Sequence, residues 1–161
     1  MNQLDTLLQN ATRDVDPVQL DYSDEYPNPE GIANGCGPMD VLEVLSRIEK
    51  IAAERNKADE SNEVNGDDLD GYWRQMGRYA ALLPYLALKH PEEVFSGLRS
   101  GCKDTRLLVA YAIKKRPLGN ASKPIETALQ FEPDELVRRT LGQALVACRS
   151  ERGLVDRLLR R

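Results

Sequence analysis

Apolar residues recur three and four apart through almost every patterned stretch of this chain, and no run alternates apolar with polar as a half-buried strand does. This periodicity confines the expected fold to the all-α class. It is clearest over residues 39–55, where Val41, Val44, Leu45, Ile48, Ile51 and Ala52 form one stripe. Asp40, Glu43, Arg47, Lys50 and Glu54 lie off it. Pro38 suits the first turn of that helix, because an N–H there has no intrahelical partner anyway. Residues 69–89 are apolar nearly all round, which predicts a central helix, and Pro84 is expected to kink it or divide it in two. Shorter helical patterns follow at 91–99, 104–116, 122–131, 133–149 and 151–160. Within 133–149, the residues Leu136, Val137, Thr140, Leu141, Ala144, Leu145 and Cys148 fall on one face. Leu4, Leu7 and Leu8 add a small helix near the start. Residues 57–68, KADESNEVNGDD, have no period and read as a mobile loop. In LDYSDEYPNPEG, residues 20–31, two prolines disfavour regular structure in the second half.

Charge is distributed unevenly along this pattern. The formal net charge is −4, but residues 1–70 carry 17 acids against 5 bases, while 71–161 carry 9 against 17. The halves should attract each other, and each offers a field to a different partner. A chain of 161 residues fits a single domain, 1–161, able to bury a core without disulfides or metal. Within it, 1–68 is an acidic part with long loops and the helix near 39–55, and 69–161 is a repeat-like helical part. Cys36, Cys102 and Cys148 are odd in number and lack CxxC spacing, which suits a reducing compartment. MNQLDTLLQNATRD has no basic, apolar leader pattern, and no run of about 18 apolar residues spans a membrane. The expected location is the cytoplasm.

An internal echo appears in the second part. PYLALKHPEEVFSGL, 84–98, is matched by AYAIKKRP, 110–117, followed by KPIETAL, 123–129. Each copy is an apolar helix ending in bases, then a proline, then a short helix, at a spacing of about 26–33 residues. EPDELVRRTLGQALVAC, 132–148, reads as the second helix of such a unit. Residues 69–161 thereby resemble the HEAT-like and armadillo-like helical repeat proteins. That resemblance implies a short HEAT-like stack of antiparallel helix pairs. No comparable copy precedes Asp68, and an irregular helical bundle is the alternative.

Candidate chemistry is sparse. His90, the one histidine, stands before Pro91 at an expected helix end, where a partly positive side chain suits the dipole, and no nucleophile motif surrounds it. Cys36 in NGCGPMD precedes a helix N-terminus, a position that lowers a thiol's pKa, although its acidic neighbourhood opposes the thiolate. A Cys36-dependent enzyme is therefore the weakest functional reading, and the expectation is a protein without catalysis, cofactor or metal. DVDPVQLDYSDE and NEVNGDDLD are oxygen-rich, but neither follows the ligand spacing of a calcium loop.

Two binding readings remain. Lys114, Lys115, Arg116, Arg138, Arg139, Arg149, Arg152, Arg157, Arg160 and Arg161 would suit a phosphate-tracking surface of a nucleic-acid-binding helical repeat protein. Against it stand the overall acidity and the absence of basic–aromatic interleaving. The favoured reading is capture of a basic protein. Asp14, Asp16, Asp21, Asp24 and Glu25 surround Tyr22 and Tyr26; carboxylates steer encounter, and tyrosines give contact area at low entropic cost. The expected partner-binding residues are Asp21, Tyr22, Asp24, Glu25, Tyr26, Asp67, Asp68, Asp70 and Trp73. In size, acidity and helical character the chain resembles the small immunity proteins that neutralise bacterial toxins, which implies a basic toxin domain as the partner. The competing reading of the acidic segment is a loop packed on the chain's own basic half.

Overall fold

A computed structural model describes residues 2–61 and 66–159 of the chain, and of Asp67 and 152–159 it describes only the backbone. The all-α expectation holds: the described residues contain no strand. Helix α1 (Gln3–Thr12) begins at Asn2, whose side chain accepts from the Asp5 N–H at 2.8 Å. Two short helices follow, α2 (Pro17–Asp21) and α3 (Pro29–Gly35), each with proline in its first turn. The expectation of irregular structure around Pro27 and Pro29 is corrected here. Pro29 disfavours a helix before it and is well placed to open one. Asn28 turns the chain in at φ 51° and accepts from the Gly31 N–H at 3.0 Å.

The long helix α4 (Pro38–Ser61) buries Val41, Val44, Leu45, Ile48 and Ala52, as its stripe predicts. Asp40, expected off the stripe, is buried instead because its Oδ2 accepts from the Gly37 N–H at 2.8 Å and caps the helix. Helix α4 runs to Ser61 and α5 (Gly66–Ala80) begins at Gly66, so most of the expected 57–68 loop is helical. Ala58, Lys57 and Glu60 are good helix formers, and a helix already nucleated propagates at little cost without an apolar period. The remainder, 62–65, lies outside the described residues.

Pro84 divides the apolar stretch: α5 ends at Ala80 and α6 (Leu83–Lys89) restarts with Pro84 in its first turn. Proline acts again at Pro91, which opens α7 (Pro91–Ser96) directly after α6, and the 3-10 turn Gly97–Arg99 completes that strand-free corner. Helix α8 (Lys103–Lys115) then leads through a second 3-10 turn, Gly119–Ala121, to α9 (Ser122–Phe131) and α10 (Glu135–Leu159). The separate helices expected at 133–149 and 151–160 are one, since no proline interrupts them. Leu136 also departs from its expected face and is exposed, whereas Val137, Thr140, Leu141, Ala144, Leu145 and Cys148 are buried.

Side-chain pairs fix the directions of the last helices. Lys103 Nζ lies 3.6 Å from Asp134 Oδ2 and Lys114 Nζ donates to Gln143 Oε1 at 2.7 Å, so α8 and α10 run parallel. Arg149 reaches Glu126 at 2.7 Å, so α9 folds back antiparallel on α10. The core is continuous from Leu4 through Ile48, Met76 and Leu86 to Ile113, Ile125 and Leu141. No helix among the described residues is long and apolar enough to cross a membrane.

Candidate protein-binding face

The segment 20–26 lies across α5, and α5 holds it by its backbone. Asp21 ends α2, where carbonyls lack intrahelical partners. Arg74 Nε donates to the Asp21 carbonyl at 3.2 Å, and Arg78 Nη1 donates to the Leu20 carbonyl. Arg74 gives the Asp21 carbonyl a partner, and Arg78 adds a second donor to the Leu20 carbonyl, which also accepts from the Ser23 N–H at 3.1 Å. Both guanidiniums meet the negative end of the helix. The same arginines then face the two tyrosines. Arg74 sits 5.4 Å from the Tyr22 ring centroid and Arg78 6.0 Å from that of Tyr26. Each cation–π contact contributes about 0.5–1 kcal/mol where the pair keeps access to water.

Tyr26 and Tyr22 differ in what they offer. Tyr26 is half-buried and meets Tyr79 edge to face at 5.5 Å, and burial together with Tyr79 raises its hydroxyl pKa above the ordinary value. Tyr22 is 75% exposed. Between them the chain turns through Ser23, whose hydroxyl donates to the Glu25 carbonyl at 2.8 Å and accepts from the Glu25 N–H at 3.2 Å. Gly77 permits the close approach, because a Cβ there would stand 3.3 Å from the Asp24 carbonyl.

The carboxylates take no part in this attachment. Asp21 and Asp24 are exposed, and among the described residues neither carboxylate has an ion-pair partner; Glu25 lies 3.8 Å from Lys115 in a pair that is well exposed on both sides. Such a pair contributes little. Asp70 is exposed one helical turn before Arg74, on the same side of α5. The structure thus brings Asp21, Tyr22, Asp24, Glu25, Tyr26 and Asp70 to one face. Asp68 is exposed but about a third of a turn away from that side, and Trp73 points toward α4. There the Arg55 guanidinium stacks 4.4 Å from its ring and pairs with the buried Asp104 at 2.9 Å. The side chain of Asp67 lies outside the described residues.

Arg74, Arg78, Gly77 and Tyr79 were not among the residues expected at this face. Their signal was present in the sequence as two arginines one turn apart with a glycine between them, but it means nothing until the segment they hold is known. Other candidates are placed less favourably for chemistry. Cys36 is buried, its thiol donates to the Ile32 carbonyl at 3.3 Å, and burial with Asp40 nearby pushes its pKa up to about 11. His90 joins α6 to α7, its Nε2 3.1 Å from the Cys36 carbonyl.

Much of the basic set is engaged within the chain. Arg116 stacks on Tyr85 at 4.8 Å, Arg138 donates to the Glu132 carbonyl at 2.7 Å, and Arg139 pairs with Glu135 at 3.3 Å. The side chains of Arg152 and Arg157, and all of Arg160 and Arg161, lie outside the described residues. No protein-family model, curated protein or solved structure matches the chain.

Proposed function

We propose that the protein is a non-catalytic binder of a basic protein, with an inhibitor of a basic toxin, acting in the manner of an immunity protein, as its most concrete form. One observation carries the reading: α5 fixes the acidic segment through backbone carbonyls and tyrosine rings while leaving the Asp21 and Asp24 carboxylates free among the described residues. A segment held this way has already lost most of its conformational entropy before a partner arrives, and preordering of that kind favours affinity. Unpaired carboxylates at its surface speed the approach of a positive partner. Exposed Tyr22 and Val18 add apolar contact beside them. The parallel α8 and α10, each preceded by a shorter helix, support a HEAT-like reading of the second half as the scaffold behind this face.

Affinity capture from the native cell tests the reading, with lysate split into nuclease-treated and untreated halves. The expected result is a basic protein retained equally in both. Capture that disappears on nuclease treatment would replace this reading with the nucleic-acid one.

A further inference from the structure

A groove of about 910 Å³ opens between α7 with its 3-10 turn and α9, away from the acidic face. Phe95 and Leu98 form buried parts of its lining, and Pro124, Ala128, Phe131 and Pro133 extend it. Phe131 continues this apolar surface while remaining 79% exposed. Burying such a ring would contribute about 1.5–3 kcal/mol that the isolated chain forgoes.

The polar groups in the lining divide into two kinds. Arg106 is committed: Nε and Nη2 donate to the Glu132 carboxylate at 2.8 and 3.1 Å, and Nη1 donates to the Ser100 carbonyl at 2.8 Å. The hydroxyls of Ser96 and Thr127 donate to backbone carbonyls of their own helices at 2.6 and 3.0 Å, and that of Ser100 donates to Glu49. Arg99 and Lys123 are different, being exposed and without an ion-pair partner among the described residues. With Arg106 neutralised by Glu132, the lining carries two uncommitted cations against one uncommitted carboxylate, Glu92.

Size argues for a small molecule over a partner helix. The volume falls in the range of small-ligand sites, which are mostly apolar with a few placed polar groups. The walls are short, since α9 has ten residues and so is about 15 Å long. We propose that this groove binds an anionic amphiphile, an apolar chain or ring carrying a carboxylate or phosphate. Its apolar part lies against Phe95, Leu98, Ala128 and Phe131, and its anion meets Arg99 and Lys123 at the rim.

Calorimetric titration of the full chain with decanoate, decyl phosphate, decanol and decyltrimethylammonium, all below micelle-forming concentrations, tests this. The expected result is saturable binding of at least one anion, about tenfold or more tighter than the alcohol or the cation, as a charge-assisted contact supplies. The ratio of decanoate to decyl phosphate affinity identifies the headgroup. Arg99→Glu with Lys123→Glu should remove that preference and leave decanol binding unchanged; both positions are exposed, and circular dichroism verifies the fold. Thr127→Trp, on the exposed rim, should weaken every ligand. No saturable binding of either anion overturns the proposal and leaves the groove to a macromolecular partner. Equal affinity for the cation, or an unchanged preference in the double variant, overturns it as well.

Discussion

Arg78 is the residue on which the acidic face most depends. It joins the Leu20 carbonyl to α5 and approaches the Tyr26 ring at 6.0 Å, contacts that together contribute about 1–2 kcal/mol. Replacing it with alanine should free the segment without unfolding the molecule. Hydrogen–deuterium exchange at the amides of residues 20–26 should then quicken by about tenfold, while the amides of α4 keep their protection. Cys36 gives a second prediction at this scale. Its thiol is protonated in the fold well above neutral pH, because burial and the Asp40 carboxylate disfavour the thiolate. Alkylation at pH 7.5 should therefore label the half-buried Cys102 first and Cys36 only through local opening. The linkage follows in sign: below pH 9 the folded and unfolded thiols are both protonated and stability does not respond. As pH rises from about 9 through about 11 the unfolded thiol ionises first, and stability falls.

Gly97 shows how tightly the elements meet. A Cβ there would stand 2.8 Å from Val109 Cγ2 on α8 and 3.2 Å from Leu45 Cδ2 on α4. Val109 is buried and stiff at χ1, so the neighbour cannot swing aside. Gly97→Ala should cost about 1–3 kcal/mol by overpacking, read as a lower denaturant midpoint at unchanged slope. The helices of this core were legible in the sequence because their apolar period and their prolines agree: the α4 stripe, the break at Pro84 and the start of α7 at Pro91 all follow from local chemistry. What escaped had no apolar period to read. Helices α2 and α3 are too short to show one, and α4 outruns its own stripe into polar helix formers. Leu136 was misplaced for a related reason, since a face can be inferred from spacing but its edge is set by which neighbour arrives.

Across the whole molecule, the charge polarity of the sequence becomes a spatial arrangement with a division of labour. The segment 20–26 does fold onto bases of its own chain, but Arg74 and Arg78 take backbone carbonyls and aromatic faces. The Asp21 and Asp24 carboxylates stay outside, and Glu25 meets Lys115 only in an exposed pair. Sequence alone could not separate these outcomes, because a count of charges does not say which atom of an aspartate is used. Tyr22 and Tyr26 were legible as a pair and turned out to have different parts, one exposed and one packed on Tyr79. Trp73, grouped with them by its acidic neighbours, belongs to the Arg55–Asp104 cluster instead. Only a fold could have made that distinction.

The central claim is that these outward carboxylates capture a positive partner. Its most direct measurement is the affinity of the captured protein for the wild-type chain and for Asp21→Lys/Asp24→Lys/Glu25→Lys, at low and at high salt. The triple variant should lose at least about tenfold at low salt, a loss that narrows as salt screens the field. Equal affinities at low salt would contradict it.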